Sequence, residues 1–235
     1  MGNLIVIEGV DSSGKETQSN LLLDRLLSLR QDHSLPNVIK VEFPDYQSDS
    51  SVLARMYLNG EFGDKPDDVS PYAASVFFAC DRYASYKTKW QTYYVQGGIV
   101  LADRYTTSNM IHQACKITSD RERRDYLSWL EDFEYRLMGI PKPDLVIFLD
   151  MPVRHAMRLM KERNRTADIH EMDGGYLARS YDIAVRVARD YGWHTVCCAD
   201  GDFIKTPQRI SDEIFSVVKD FLAGNSKGEP LEGKI

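Results

Sequence analysis

Residues 3–17, NLIVIEGVDSSGKET, decide how the rest of the chain is read. The apolar run 3–8 closes on Gly9 without polar alternation, the pattern of a strand buried on both faces of a sheet. Gly9-Val10-Asp11-Ser12-Ser13-Gly14-Lys15 then fits GxxxxGK. From Lys15 the period becomes helical, with Leu21, Leu22, Leu23, Leu26, Leu27 and Leu29 giving an apolar face to about residue 30. A glycine-rich loop between a strand and a helix is a phosphate cradle. Its glycines let backbone N–H groups turn inward, the helix start adds positive potential, and the Lys ammonium reaches a terminal phosphate. The motif expects Ser or Thr after the Lys to ligate Mg²⁺, but Glu16 and then Thr17 follow. The metal is then held either by carboxylates and water or mostly by the nucleotide itself.

Working outward, short apolar runs recur at 38–43 (VIKVEF), 99–102 (IVLA), 144–149 (DLVIFL) and 195–199 (TVCCA). Helical patterns occupy 50–58, 71–96, 108–116, 120–138, 153–163, 171–191 and 207–222. Strands alternating with helices predict an α/β P-loop NTPase fold, a five-stranded parallel sheet flanked by helices. The motifs at Gly9–Lys15, Phe43–Tyr46 and Asp103–Asn109 then share the edge where ligands bind. Without repeats or linkers, residues 1–223 read as one domain, with a lid at about 161–170 and a flexible tail over 224–235.

The 235 residues carry a net charge of −6, which argues against nucleic-acid binding, since that needs a basic face. No apolar run approaches the ~20 residues of a membrane span, and no signal peptide opens the chain. The expectation is a cytoplasmic protein without a membrane partner. The four cysteines, Cys80, Cys115, Cys197 and Cys198, lack metal-ligand spacing.

Asp11 in the cradle, Phe43-Pro44-Asp45-Tyr46 after the second run, Phe77-Phe78-Ala79-Cys80-Asp81-Arg82 in a helix, and Asp103-Arg104-Tyr105-Thr106-Thr107-Ser108-Asn109 occur in that order. Together they resemble the thymidylate kinase family over residues 3–222. The resemblance implies transfer of the ATP γ-phosphate to dTMP, with Mg²⁺. It assigns Gly9, Val10, Asp11, Ser12, Ser13, Gly14, Lys15, Glu16, Thr17 and Arg158 to ATP. Phe78 matches the face that stacks on the pyrimidine, and Arg82, on the same helix face, matches the donor to a base carbonyl. Arg104 matches a bidentate phosphate ligand, Ser108 and Asn109 polar positions near the base, and Asp11 the acid at the sugar 3′-hydroxyl. Phe43 joins this acceptor set. Arg163 and Arg165, with Arg158 and Lys161, resemble the basic lid of bacterial members, and the cradle itself carries no Arg. Lys15, Asp11, Arg104, Arg163 and Arg165 form the catalytic set, and Asp103, Asp11 and Glu16 the carboxylates available to a metal. The family's habit also implies a homodimer.

Two positions depart from the family. Asp45 and Tyr46 stand where an Arg for the acceptor phosphate is usual, so Asp45 must point away or meet a cation. His112 stands where bacterial relatives carry Tyr, either filling space against C2′ or serving as a plain helix residue. A deoxynucleoside kinase, with Asp103 or Asp45 as base, is the alternative reading. A catalytically decayed nucleotide-binding protein is a third.

Overall fold

The computed structural model describes residues 1–30, 36–162 and 168–225. β1 (Asn3–Glu8) feeds the cradle and then α1 (Lys15–Arg30), as the change of period requires. β2 (Val38–Glu42), a short α2 (Val52–Leu58) and α3 (Pro71–Ser85) follow. Ser70 starts α3 by accepting a hydrogen bond from the Ala73 N–H, with Pro71 in the first turn, where its missing N–H costs nothing. The helix expected to reach residue 96 passes through a π-helical turn, Tyr86–Trp90, before α4 (Gln91–Val95). β3 (Ile99–Asp103), α5 (Thr106–His112), α6 (Asp120–Glu131) and a second π turn, Asp132–Leu137, lead to β4 (Leu145–Asp150).

Beyond β4 come α7 (Val153–Glu162), α8 (Ile169–Met172), α9 (Gly174–Asp190), β5 (His194–Cys197) and α10 (Pro207–Asn225). The single helix expected over 171–191 is broken at Asp173, whose carboxylate accepts from the Tyr176 N–H and starts α9 afresh. Gly174 and Gly175 are weak helix formers, so a cap wins locally over continuity. A small hairpin, β6 (Ala199–Asp200) with β7 (Phe203–Ile204), turns at Gly201, whose φ of 59° suits glycine.

The five parallel strands run in the order β2-β3-β1-β4-β5. Alternation along β1 divides the core: Ile5 and Ile7 pack with Leu22, Leu26, Leu101, Ile147, Ile214 and Val218, whereas Leu4 and Val6 pack with Trp90, Tyr94, Val100 and Tyr105 on the other face. Truncating one of these buried aliphatics to Ala costs about 2–5 kcal/mol. The register sets Ile7 beside Asp103 and Glu42 beside Asp103, so the C-terminal ends of β1, β2 and β3 open onto one place. No described helix is long and apolar enough to cross a membrane.

Candidate active site

A cavity of about 310 Å³ lies at that edge. Its walls include Asp11, Ser12, Gly14, Lys15 and Glu16 from the cradle and first helical turn. Opposite stand Phe43, Phe78, Arg82, Asp103, Arg104, Ser108, Asn109 and His112. Side chains that follow β1, β2 and β3 thus face one space, because β3 lies between β1 and β2.

The cradle is tightly built. Gly9 is in contact with strand β4, and a Cβ there would meet the Ser13 Oγ at 2.5 Å and the Leu149 carbonyl oxygen at 3.1 Å. Ser12 has a φ of 63° and Gly14 of 91°, so the chain curls through left-handed geometry, which costs the serine roughly 1–2 kcal/mol. The hydroxyls of Ser12 and Ser13 are buried and lack a hydrogen-bond partner among the described residues. Buried polar atoms are normally paired, and Ser12, which lines the cavity, fits a phosphate that brings its own oxygens. Lys15 is almost wholly buried, and its ammonium donates to the carbonyls of Gly9 at 2.8 Å and Val10 at 2.7 Å. Burial and Arg104 pull its pKa down to about 8 against the attraction of Asp11, Glu8 and Asp103.

Arg104 also adopts a left-handed φ, 65°, held by its N–H bond to the Ile7 carbonyl at 3.1 Å. That twist aims the guanidinium at the cradle, where it forms a close ion pair with Asp11. It also donates to the Ser108 Oγ at 3.4 Å and to the His112 Nε2 at 3.2 Å. Burial opposes ionisation of Asp11, but the Arg104 and Lys15 cations outweigh it and hold the carboxyl well below its usual range.

Glu8, which the sequence reading passed over, organises this corner. Fully buried, it accepts from the Gly9 N–H at 2.9 Å, the Thr107 hydroxyl at 2.7 Å and the Ser108 hydroxyl at 2.9 Å, with Arg104 3.9 Å away. A charged residue closing a buried strand just before the loop was the available signal. Leu58, Gln113, Asp168 and His170 also line the cavity and were likewise missed. Asp168 and His170 fall at the end of the expected lid, where no periodic pattern singled them out as site residues.

Phe78 is half-buried and meets Tyr57 edge-on at 6.1 Å. Phe43 is buried against Tyr105 at 5.9 Å. Asn109 is anchored by its amide to the Ser75 carbonyl at 3.3 Å. Arg82 lines the wall although only 1% exposed, in a bidentate pair with Glu134 at 2.7 and 2.6 Å.

Asp11, His112 and His170 each offer a ligand atom within 4.8 Å of the others. The two imidazoles stack 14° from parallel, so their in-plane lone pairs run side by side instead of converging. Arg104 already engages Asp11 and the His112 Nε2, and Tyr57 pairs with the His170 Nε2 at 2.8 Å. These bonds fit a polar pocket wall better than a metal centre. Burial, with Arg104 and His170 adding to it, keeps His112 neutral well below its ordinary range, and burial pulls His170 down to about 3. With Arg104 donating to the Nε2, the His112 proton belongs on Nδ1, a buried donor without a partner among the described residues.

Oxygen donors for Mg²⁺ remain on the cavity wall. Asp103 closes β3, accepts from the Ser19 hydroxyl at 3.3 Å, and faces the same space as Glu16. Two carboxylates suit a hard cation that also binds phosphate oxygens. The third carboxylate expected for a metal, Asp11, is engaged by Arg104.

The remaining sequence candidates lie elsewhere. Thr17 and Arg158 are exposed and do not border the cavity, and Gly9, Val10 and Ser13 are buried behind its surface. Arg163 and Arg165 lie outside the described residues. Asp45 turns from the cavity into an ion pair with Lys89, while its N–H donates to the Asp81 carboxylate at 2.8 Å.

A strand–cradle–helix whose lysine shares one cavity with an anchored arginine and an aromatic wall defines a P-loop phosphotransferase. The thymidylate kinase family model matches residues 7–202, and the chain belongs to that family. It is 30% identical over 217 residues to the thymidylate kinase of Caenorhabditis elegans, spanning 89% of this chain and 88% of that one. It is 29% identical over 201 residues to that of Mycobacterium tuberculosis, spanning 81% and 87%. A solved thymidylate kinase from Candida albicans superposes with a TM-score of 0.69 at 22% identity, covering 93% of this chain and 92% of the other, which establishes the shared fold.

Proposed function

We infer that this chain is a thymidylate kinase that moves the γ-phosphoryl group of ATP to dTMP, giving ADP and dTDP. The observation that carries the reading is the convergence of Lys15 and Arg104 on one cavity also walled by Phe78, Arg82 and Asn109. The donor phosphates lie in the cradle, against its inward N–H groups and the unpartnered Ser12 hydroxyl. Lys15 leaves the Gly9 and Val10 carbonyls to meet them. Arg104 binds the acceptor phosphate, and Asp11, released from that pair, accepts from the sugar 3′-hydroxyl. Phe78 stacks on the pyrimidine, with Arg82 and Asn109 at its polar edge.

Phosphoryl transfer needs alignment and charge neutralisation more than covalent help. The phosphate oxygen of dTMP is already an anion, so no strong base is required. Lys15 and Arg104 neutralise the two phosphates as they approach. Asp103 and Glu16 would hold Mg²⁺, which supplies further neutralisation of the triphosphate. Arg163 and Arg165, with Lys161 and with Arg158 just before it, make a bacterial-type basic lid at about 161–170, on the strength of the sequence pattern. Asp45 does not repel the acceptor, because Lys89 neutralises it.

The same features weigh against a nucleoside acceptor. Asp45 is committed to Lys89 away from the cavity, and an arginine at the acceptor side suits an anion better than a neutral sugar. We further propose one domain over 1–223, a homodimer and a cytoplasmic location. ADP release measured with dTMP, with thymidine and without acceptor tests the activity. Turnover is expected with dTMP alone. Equal turnover with thymidine would transfer the site to a nucleoside kinase.

A further inference from the structure

We infer that Glu134 is a positioning residue for acceptor recognition, clamping the Nε–Nη2 edge of the Arg82 guanidinium so that Nη1 is left to read a carbonyl oxygen of the base. The inference rests on the proposed role of Arg82 at the acceptor base. Arg82 Nε donates to the Glu134 Oε2 at 2.7 Å and Nη2 to Oε1 at 2.6 Å, a fork that fixes the guanidinium plane. Nη1 has only a long contact, 3.4 Å, to the Tyr105 carbonyl, and Arg82 borders the cavity while Glu134 does not.

Glu134 is itself fixed. It is fully buried, and its Oε2 accepts the Thr106 hydroxyl at 2.8 Å. It sits in the π turn Asp132–Leu137, and such turns commonly redirect a side chain at functional positions. Thr106 opens α5, two residues after Arg104, so one carboxylate ties the base-side arginine to the segment carrying the phosphate-side arginine.

A lone carboxylate buried among apolar rings would be costly, and so would a lone guanidinium. Paired, they carry no net charge and present only N–H donors, with no acceptor, on the free edge. That suits a neutral base offering a carbonyl oxygen, and it opposes a base offering an amino group at the same edge. Glu134 therefore supports selection of thymine over cytosine without touching either.

The test compares steady-state kinetics of Glu134→Gln with the unmodified protein, using dTMP, dCMP and ATP. The expected result is a rise of about tenfold or more in the dTMP KM, the loss of one well-placed charged hydrogen bond. The ATP KM and kcat stay near their starting values, and the preference for dTMP over dCMP narrows. A merely structural role would move both KM values alike or lower kcat through the active fraction, and that result would overturn the inference. An unchanged dTMP KM in folded Glu134→Gln would do the same.

If Glu134→Gln fails to fold, Thr106→Val decides. It removes one restraint on Glu134 and spares the ion pair, and a rise of about threefold or more in the dTMP KM alone is expected. No rise overturns the inference. Arg82→Lys separates the two claims, since a point charge can still pair with Glu134 but cannot also span to the base. If Arg82→Lys leaves the dTMP KM unchanged, the base-side reading falls together with the inference. If it raises the KM while Glu134→Gln does not, only the role of Glu134 falls.

Discussion

At the scale of single residues, Lys15 carries the donor side. Lys15→Ala should keep the fold, since no apolar contact is lost, and should lower kcat on the order of 100-fold or more. Near-normal turnover by the folded variant would remove the cradle from the chemistry. Its depressed pKa gives a second readout. A bound phosphate favours the ammonium, whereas the ligand-free protein releases that proton above about pH 8. ATP affinity should therefore fall as pH rises through about 8, with proton uptake on binding at pH 9 in calorimetry. A flat profile from pH 7 to about 9.5 would contradict the assignment. On the acceptor side, Phe78→Ala should raise the dTMP KM and leave that for ATP unchanged; the reverse pattern would put the acceptor on the wrong wall. Lys89→Ala should unmask Asp45 and raise the dTMP KM roughly two- to fivefold, as expected of a half-exposed pair. That rise should shrink with added salt, and a salt-independent effect would point to packing instead.

At the scale of elements, the strand–cradle–helix unit was legible because its signals are local. A buried strand, two glycines at fixed spacing and a change of hydrophobic period each depend on neighbours in sequence. The two π turns and the break at Asp173 were not legible in the same way. A π turn arises where packing on both sides outvotes the ordinary helical period, and Asp173 needed its cap geometry to declare itself. The cradle also permits an element-level prediction. Gly9→Ala forces a methyl group against the Ser13 Oγ and the Leu149 backbone, so the loop must move away from β4. Thermal stability and ATP affinity should fall together, measured by melting with and without nucleotide. A variant with normal melting and weaker ATP binding alone would show that the loop moves without strain on the sheet.

At the scale of the whole molecule, residues 1–225 should melt in one transition and retain the full kcat, because the described core already closes around α10 through Ile210, Ile214, Val218 and Leu222. Two transitions, or a lost kcat, would contradict a single domain. Light scattering should return twice the chain mass if the homodimer forms. The sequence by itself determined the strands and most helices, the phosphate cradle with Lys15, and the order of the acceptor motifs, since each is written in short-range periodicity or fixed spacing. Only the tertiary structure decided that Glu8 anchors the Thr107–Ser108 corner, that Lys89 answers Asp45, that Arg104 pairs with Asp11, and that Glu134 grips Arg82. Those pairs span 44 to 100 residues. Their cause is burial: a charge enclosed by the fold must find its partner wherever the sheet order and helix packing place one.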